Sequence, residues 1–218
     1  MLRRRDMLIG AGAVLAAPRA APAQTFSLPP SGVLAFRIMR LGSQIGAHES
    51  GFETAGDVMT MRAETEIVVR LLGIPVFRFT HSVTERWQGG RLFSLDTRTN
   101  DDGTPYWVAA RRDGAALAVQ GSAQAAYTAP DDALPMTHWN IGELGVPKIN
   151  PQKGNLLRPL VADRGMAEVA DGSGGTISAR HYNFSGDATL DVWFDAERRW
   201  AALAFLGSDQ SAITLQRR

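Results

Sequence analysis

Few residues in this sequence have the type and spacing that chemistry needs. Thr137-His138-Trp139-Asn140 is the one polar and aromatic cluster in an irregular stretch. There His138 could act as a general base or a hydrogen-bonding ligand contact, Trp139 as a stacking platform, and Asn140 as a fixed donor and acceptor. The competing structural reading makes Trp139 a plug for one end of the fold, while His138 and Asn140 satisfy backbone groups left open by the loop. A second pair, His81 and Glu85, interrupts the apolar parity of Phe77, Phe79, Val83 and Trp87. A carboxylate on a core face needs a partner. His81 is poorly placed to be that partner, because strand residues four apart lie more than ~12 Å from each other. The expectation is that this end of the strand runs past the core and both residues are solvated. The sharper alternative is an ionisable group facing a cavity.

Other signatures are missing. His48, His81, His138 and His181 show neither an H-x-H nor an HExxH spacing, so no local metal site is announced. There is no G-x-S-x-G elbow and no glycine-rich phosphate loop; Gly172-Ser173-Gly174-Gly175 has no strand-to-helix context and reads as a plain loop. Without cysteine the chain has no disulfide, thiolate ligand or cysteine nucleophile, which suits an oxidising compartment. No catalytic residue, metal or cofactor is assigned.

The elements that must position these residues are strands. From Val58, Met59, Met61, Ala63, Thr65, Ile67, Val69 and Leu71 share one parity, and Thr60, Arg62, Glu64, Glu66 and Arg70 the other. A period of two with one polar face is a half-buried strand. Comparable segments follow at Val76–Trp87, Arg91–Thr99, Tyr106–Arg112 and Ala116–Gln120, separated by Gln88-Gly89-Gly90, Asn100-Asp101-Asp102-Gly103 and Asp113-Gly114, residues that tolerate the positive φ of hairpin turns. Val33–Leu41 and Ile45–Thr54 precede them, the second carrying Gly46 and Gly51 as signs of a bend or bulge. Between Gly121 and Gly154 the periodicity lapses for about thirty residues, a length that marks a covering or plugging segment. Strands resume from Asn155, with an interruption at Pro159, and continue to Gln216.

The fold expected is all-β: an antiparallel meander of about eleven or twelve strands closed into a barrel or forming a strongly curved open sheet, with the central loop over one end. Residues 32–218 are expected to form one domain.

Residues 1–23 read as an export signal. A basic start, the apolar run Met7–Ala17 and the ending Ala21-Pro22-Ala23 fit cleavage before Gln24, and Arg4-Arg5-Asp6-Met7-Leu8 resembles a twin-arginine motif. The run is too short to span a bilayer. Residues 24–31, with Pro29-Pro30, are expected to be an extended tether. The signal's four arginines and one aspartate account for the formal +1, so the mature chain is slightly acidic and a nucleic-acid partner loses its electrostatic footing.

The run from Glu64 to Gly114, followed by Pro135-Met136-Thr137-His138-Trp139-Asn140 and Asp191–Trp200, resembles an exported bacterial family known only as a domain of unknown function. That resemblance implies a β-rich periplasmic protein and assigns no residue a role. The hairpin from Phe194 to Leu203 is similar to those of periplasmic lipoprotein and lipid carriers with a curved half-barrel, which is a likeness of fold alone. The leading functional expectation is a non-enzymatic periplasmic protein holding an apolar or lipid-like ligand beneath the loop at Trp139, with His138, Trp139, Asn140, His81 and Glu85 as candidate contacts. The alternatives are a hydrolase or isomerase with a cleft around His138, and an envelope interaction module using an exposed sheet edge.

Overall fold

The alternation that begins at Val58 becomes the longest hairpin of the molecule. In a computed structural model, which describes residues 26–218, the chain forms β1 (Val33–Arg40), β2 (Ser43–Ala55), β3 (Val58–Leu71), β4 (Ile74–Gln88), β5 (Arg91–Asp101), β6 (Thr104–Asp113), β7 (Ala116–Gly121) and β8 (Gln124–Ala129). Three two-residue strands follow, β9 (Leu134–Pro135), β10 (Lys148–Ile149) and β11 (Leu156–Leu157), with a 3-10 turn at Ile141–Gly145. The chain then completes the sheet with β12 (Leu160–Ala170), β13 (Thr176–Ser185), β14 (Leu190–Phe194), β15 (Trp200–Leu206) and β16 (Ala212–Arg217). The export signal expected at 1–23 lies outside the described residues.

Thirteen strands make one antiparallel sheet in the order β12-β13-β14-β15-β16-β1-β2-β3-β4-β5-β6-β7-β8. The two halves of the chain meet where β16 pairs with β1. Edges β12 and β8 do not pair, so of the two architectures expected, the curved open sheet is the one formed. Residues 130–159 carry the chain from one edge to the other, and this explains the length of the aperiodic stretch: a chain leaving β8 must cross the concave face to begin β12. Its short strands form a separate sheet in the order β11-β10-β9.

Two sequence expectations need correction here. Gln124–Ala129 is a strand, although its Ala-rich sequence has no clear period; pairing with β7, Leu117 opposite Ala129 and Val119 opposite Tyr127, outweighs weak propensity. The tether is also not free of the domain. Phe26 packs on Trp87 and Trp139 at ring distances of 5.1 and 5.2 Å, and Leu28 joins the core.

Register stacks the concave face in rows. Thr65, His81 and Thr99 lie side by side on β3, β4 and β5, with His48 of β2 opposite Thr65. Below them run Ala63, Val83, Thr97 and Val108, then Met61, Glu85, Leu95 and Ala110. All the members of these two lower rows are buried. The lowest row is closed by Trp87, Trp139, Phe26 and Phe52, edge-on or tilted aromatic neighbours at 5.1–5.6 Å, each pair stabilising by ~0.5–1.5 kcal/mol beyond its buried area.

Candidate functional site

Antiparallel pairing puts the β1–β2, β3–β4, β5–β6 and β15–β16 turns at one end of the sheet, opposite the aromatic floor. A cavity of about 750 Å³ opens at that end. Its walls are apolar: Ile38, Ile67, Phe79, Phe205, Ile213 and Leu215 among them. Ile45 also lines it, set inward by the bulge at which the β1–β2 register shifts between Ile38 and Met39. Arg40, paired with Asp209, stands at the mouth. Toward the floor the lining turns polar, with His48, Thr65, His81, Thr137 and His138.

Burial governs the electrostatics of that polar layer. His48 places Nδ1 2.8 Å from Thr65 Oγ1 and Nε2 2.8 Å from Ser50 Oγ, and His81 Nδ1 is 2.8 Å from Thr99 Oγ1. Desolvation pulls the pKa of His48 down to about 3 and that of His81 to about 4. Both imidazoles are therefore neutral at pH 7, and the layer offers hydrogen bonds rather than charge.

Beneath it the crossing segment is anchored to the wall. Glu85, 0% exposed, accepts hydrogen bonds from Trp87 Nε1 at 2.8 Å, Trp139 Nε1 at 3.0 Å and Thr137 Oγ1 at 2.6 Å. Burial pushes its pKa up to about 7 against the pull of these donors. The expectation that His81 and Glu85 are solvated is thus wrong: both are buried, Glu85 because the crossing segment covers it and supplies Thr137 and Trp139 as donors, His81 beside Thr99 of the adjacent β5.

His138 adopts φ 67, in the left-handed region, and its Nδ1 donates to Glu143 Oε1 at 2.8 Å while its backbone N–H reaches Glu143 Oε2 at 3.3 Å. The ring packs 5.7 Å from that of Trp200 and lines the cavity, so Nε2 is the nitrogen left for a ligand. Glu143 is itself buried, near Lys148, whose Nζ donates to Val146 O at 3.0 Å and sits 5.0 Å over the Phe184 ring. This arrangement holds an oriented imidazole beside a hydrophobic chamber. Among the described residues no three acidic or histidine groups converge as metal ligands would.

The candidates therefore part company. His81 and His138 face the cavity; Glu85 and Trp139 form the anchor below it. Asn140 caps the 3-10 turn, its Oδ1 accepting from Gly142 N at 2.9 Å. His48, Thr65 and Thr99 were missed because their meeting depends on inter-strand register. Glu143 had a signal, a lone acid in the apolar run Ile141–Val146, and Lys148 another, as one of only two lysines. His181 lies elsewhere, stacked on Trp193 and bonded to Asp191 at 2.7 Å.

A family model described as a domain of unknown function (DUF6134) matches residues 36–218, which include every polar residue of the chamber. That agrees with the resemblance read from the sequence. No curated protein matches the chain. Among solved structures it is similar to the crystal structure of a beta-barrel-like protein of domain of unknown function DUF1849 from Brucella abortus, with a TM-score of 0.59 and 8% identity over 85% of this chain and 94% of that one. At that identity the likeness is one of fold.

Proposed function

The chain belongs to the DUF6134 family, and we propose that it is an exported, periplasmic binding protein whose half-barrel holds an apolar or lipid-like ligand. The observation that carries this reading is the cavity of about 750 Å³, apolar along its walls and open at one end. A volume of that order suits a small-molecule or acyl ligand. Anchoring by Glu85 and Trp139 supports it further, since it fixes the crossing segment as a floor and leaves the space above unfilled. The neutral layer of His48, His81 and Thr65 would hydrogen-bond a polar group of the ligand without demanding charge.

Purified mature protein, extracted with organic solvent and examined alongside native mass spectrometry, is expected to yield a bound lipid, or after delipidation to bind a fluorescent fatty probe with saturation. Protein that carries nothing and takes up no probe would overturn the reading.

A second reading rests on the His138–Glu143 pair at 2.8 Å. A carboxylate orienting an imidazole whose other nitrogen faces a chamber is the geometry of general-base catalysis, which keeps a hydrolase or isomerase in view. Turnover of ester or enolisable probes that is abolished by His138→Asn would favour it over carriage.

A further inference from the structure

The open end of the half-barrel carries an unusual set of side chains. Leu41, Leu71, Leu72, Ile74, Val76 and Leu206 are over half of the large apolar residues exposed among the described residues, and all lie at this one end. Leu72 is 95% exposed and Leu41 77%. They sit at the tips of neighbouring hairpins, β1–β2 and β3–β4, with Leu206 at the end of β15.

The backbone at these tips gives an independent observation. Leu41-Gly42 has φ values of 49 and 79, and Leu72-Gly73 of 51 and 83. Two consecutive positive φ values make a turn that favours asparagine, aspartate or glycine at its first position. Asp102-Gly103, φ 48 and 92, follows that preference on the same rim. At positions 41 and 72 a leucine stands instead, strained in the left-handed region and projected into solvent, where neither packing nor propensity favours it.

Charge and continuity give the direction. Each tip begins with an arginine, in Arg40-Leu41-Gly42 and Arg70-Leu71-Leu72-Gly73; Arg40 is ion-paired with Asp209 of the adjoining β15–β16 turn, whereas Arg70 hydrogen-bonds within its own tip. Arg70 Nη1 is held against Gly73 O at 3.1 Å, close to the exposed leucines. Val76 and Leu206 belong both to this rim and to the cavity lining, so the apolar rim adjoins the mouth of the chamber.

We propose that the Leu41 and Leu72 hairpin tips dock on a lipid bilayer, inserting their leucines at the interface with Arg70 at headgroup level, so that the cavity mouth meets the membrane directly. Short, exposed apolar tips with a basic side chain behind them suit an interfacial, non-spanning contact. A lipid chain could then pass between bilayer and chamber without crossing water. This route rests on the binding reading above, whereas the docking itself does not.

The test is flotation of the mature protein with phosphatidylcholine vesicles, with and without phosphatidylglycerol, comparing wild type with the Leu41→Asn/Leu72→Asn double variant. Asparagine suits the left-handed turn, so the variant should fold with an unchanged or raised Tm. Wild type should float with the vesicles, and the variant should lose at least about tenfold in partition. Equal partition of the two proteins, or wild type remaining unbound, would overturn the proposal. So would a wild-type dimer that the double variant converts to monomer while vesicle binding is absent, since the rim would then be a self-association surface. Probe uptake in vesicle-free buffer separates the two readings: uptake without flotation removes the docking alone, and flotation without uptake removes the cavity reading alone.

Discussion

The indole Nε1 of Trp139 donates to Glu85 Oε2 at 3.0 Å, tying the segment that crosses the half-barrel to the strand that forms its wall. With Trp87 and Thr137 also donating, Glu85 accepts three hydrogen bonds in a site closed to solvent. Glu85→Leu keeps roughly the volume but removes both acceptor oxygens, leaving the buried indole N–H groups of Trp87 and Trp139 without a partner. The expected cost is ~1–3 kcal/mol in a urea titration. Because burial raises this carboxyl from 4.5 to about 7, the part of its contribution that comes from the shift is fully present below pH 4.5 and lost as the pH rises through 7. The substitution should therefore cost more at pH 5 than at pH 8. A cost independent of pH would mean that Glu85 is ionised throughout.

The polar layer has the opposite slope. His48 and His81 have folded-state values of about 3 and about 4, below the ordinary 6.5. The unfolded chain therefore binds protons that the folded chain refuses, and stability is lost as the pH falls below 6.5. One pKa unit corresponds to about 1.4 kcal/mol per group, so two histidines outweigh Glu85 in the window where they compete. Urea unfolding at pH 7 and pH 5 should show a net loss on the order of 2 kcal/mol on acidification, and His81→Gln should flatten that slope. A profile that stays level in wild type would show that the layer is open to water.

Most of the sheet was legible because its signal is local. Period two from Met59 to Val69, and aspartate or glycine at the turns, specify hairpins before any tertiary contact exists. The site was legible only in part. His138 and Trp139 stood out as a cluster in an irregular segment, whereas His48 and Thr65 meet only through a register that no single strand encodes. The reading of Glu85 failed for a physical reason: parity placed it correctly on the inner face, but its donors, Thr137 and Trp139, come from more than fifty residues away. Burial of a carboxylate is not predictable from its own strand when a distant segment satisfies it.

Two glycines of β2 should behave differently. A Cβ on Gly46 would stand 2.1 Å from the backbone oxygen of Glu66, whereas one on Gly51 would meet nothing nearer than 4.0 Å. Backbone cannot yield as a flexible side chain does, so Gly46→Ala should destabilise by more than ~2 kcal/mol, and Gly51→Ala should stay within about 1 kcal/mol. Gly46 adjoins the bulge that directs Ile45 into the cavity, so its substitution should also weaken probe uptake. Equal stabilities for the two variants would place the close approach elsewhere.

The choice between carriage and chemistry turns on Val69 and His138, which occupy opposite ends of one chamber. Val69 lines the cavity near its mouth, opposite Phe77 in the β3–β4 pair. It is only half-buried, so Val69→Trp can fill the entrance without overpacking the core. His138→Asn retains a residue type that tolerates φ 67 while removing the imidazole and its bond to Glu143. If the chamber carries a ligand, Val69→Trp should reduce probe affinity at least about tenfold, and His138→Asn should change it by no more than the loss of one hydrogen bond, roughly 0.5–1.5 kcal/mol. If the chamber is an active site, the second variant abolishes turnover and leaves binding nearly intact. Occlusion of the mouth without effect on uptake would count against the cavity itself, because no substitution at its floor can compensate for a blocked entrance.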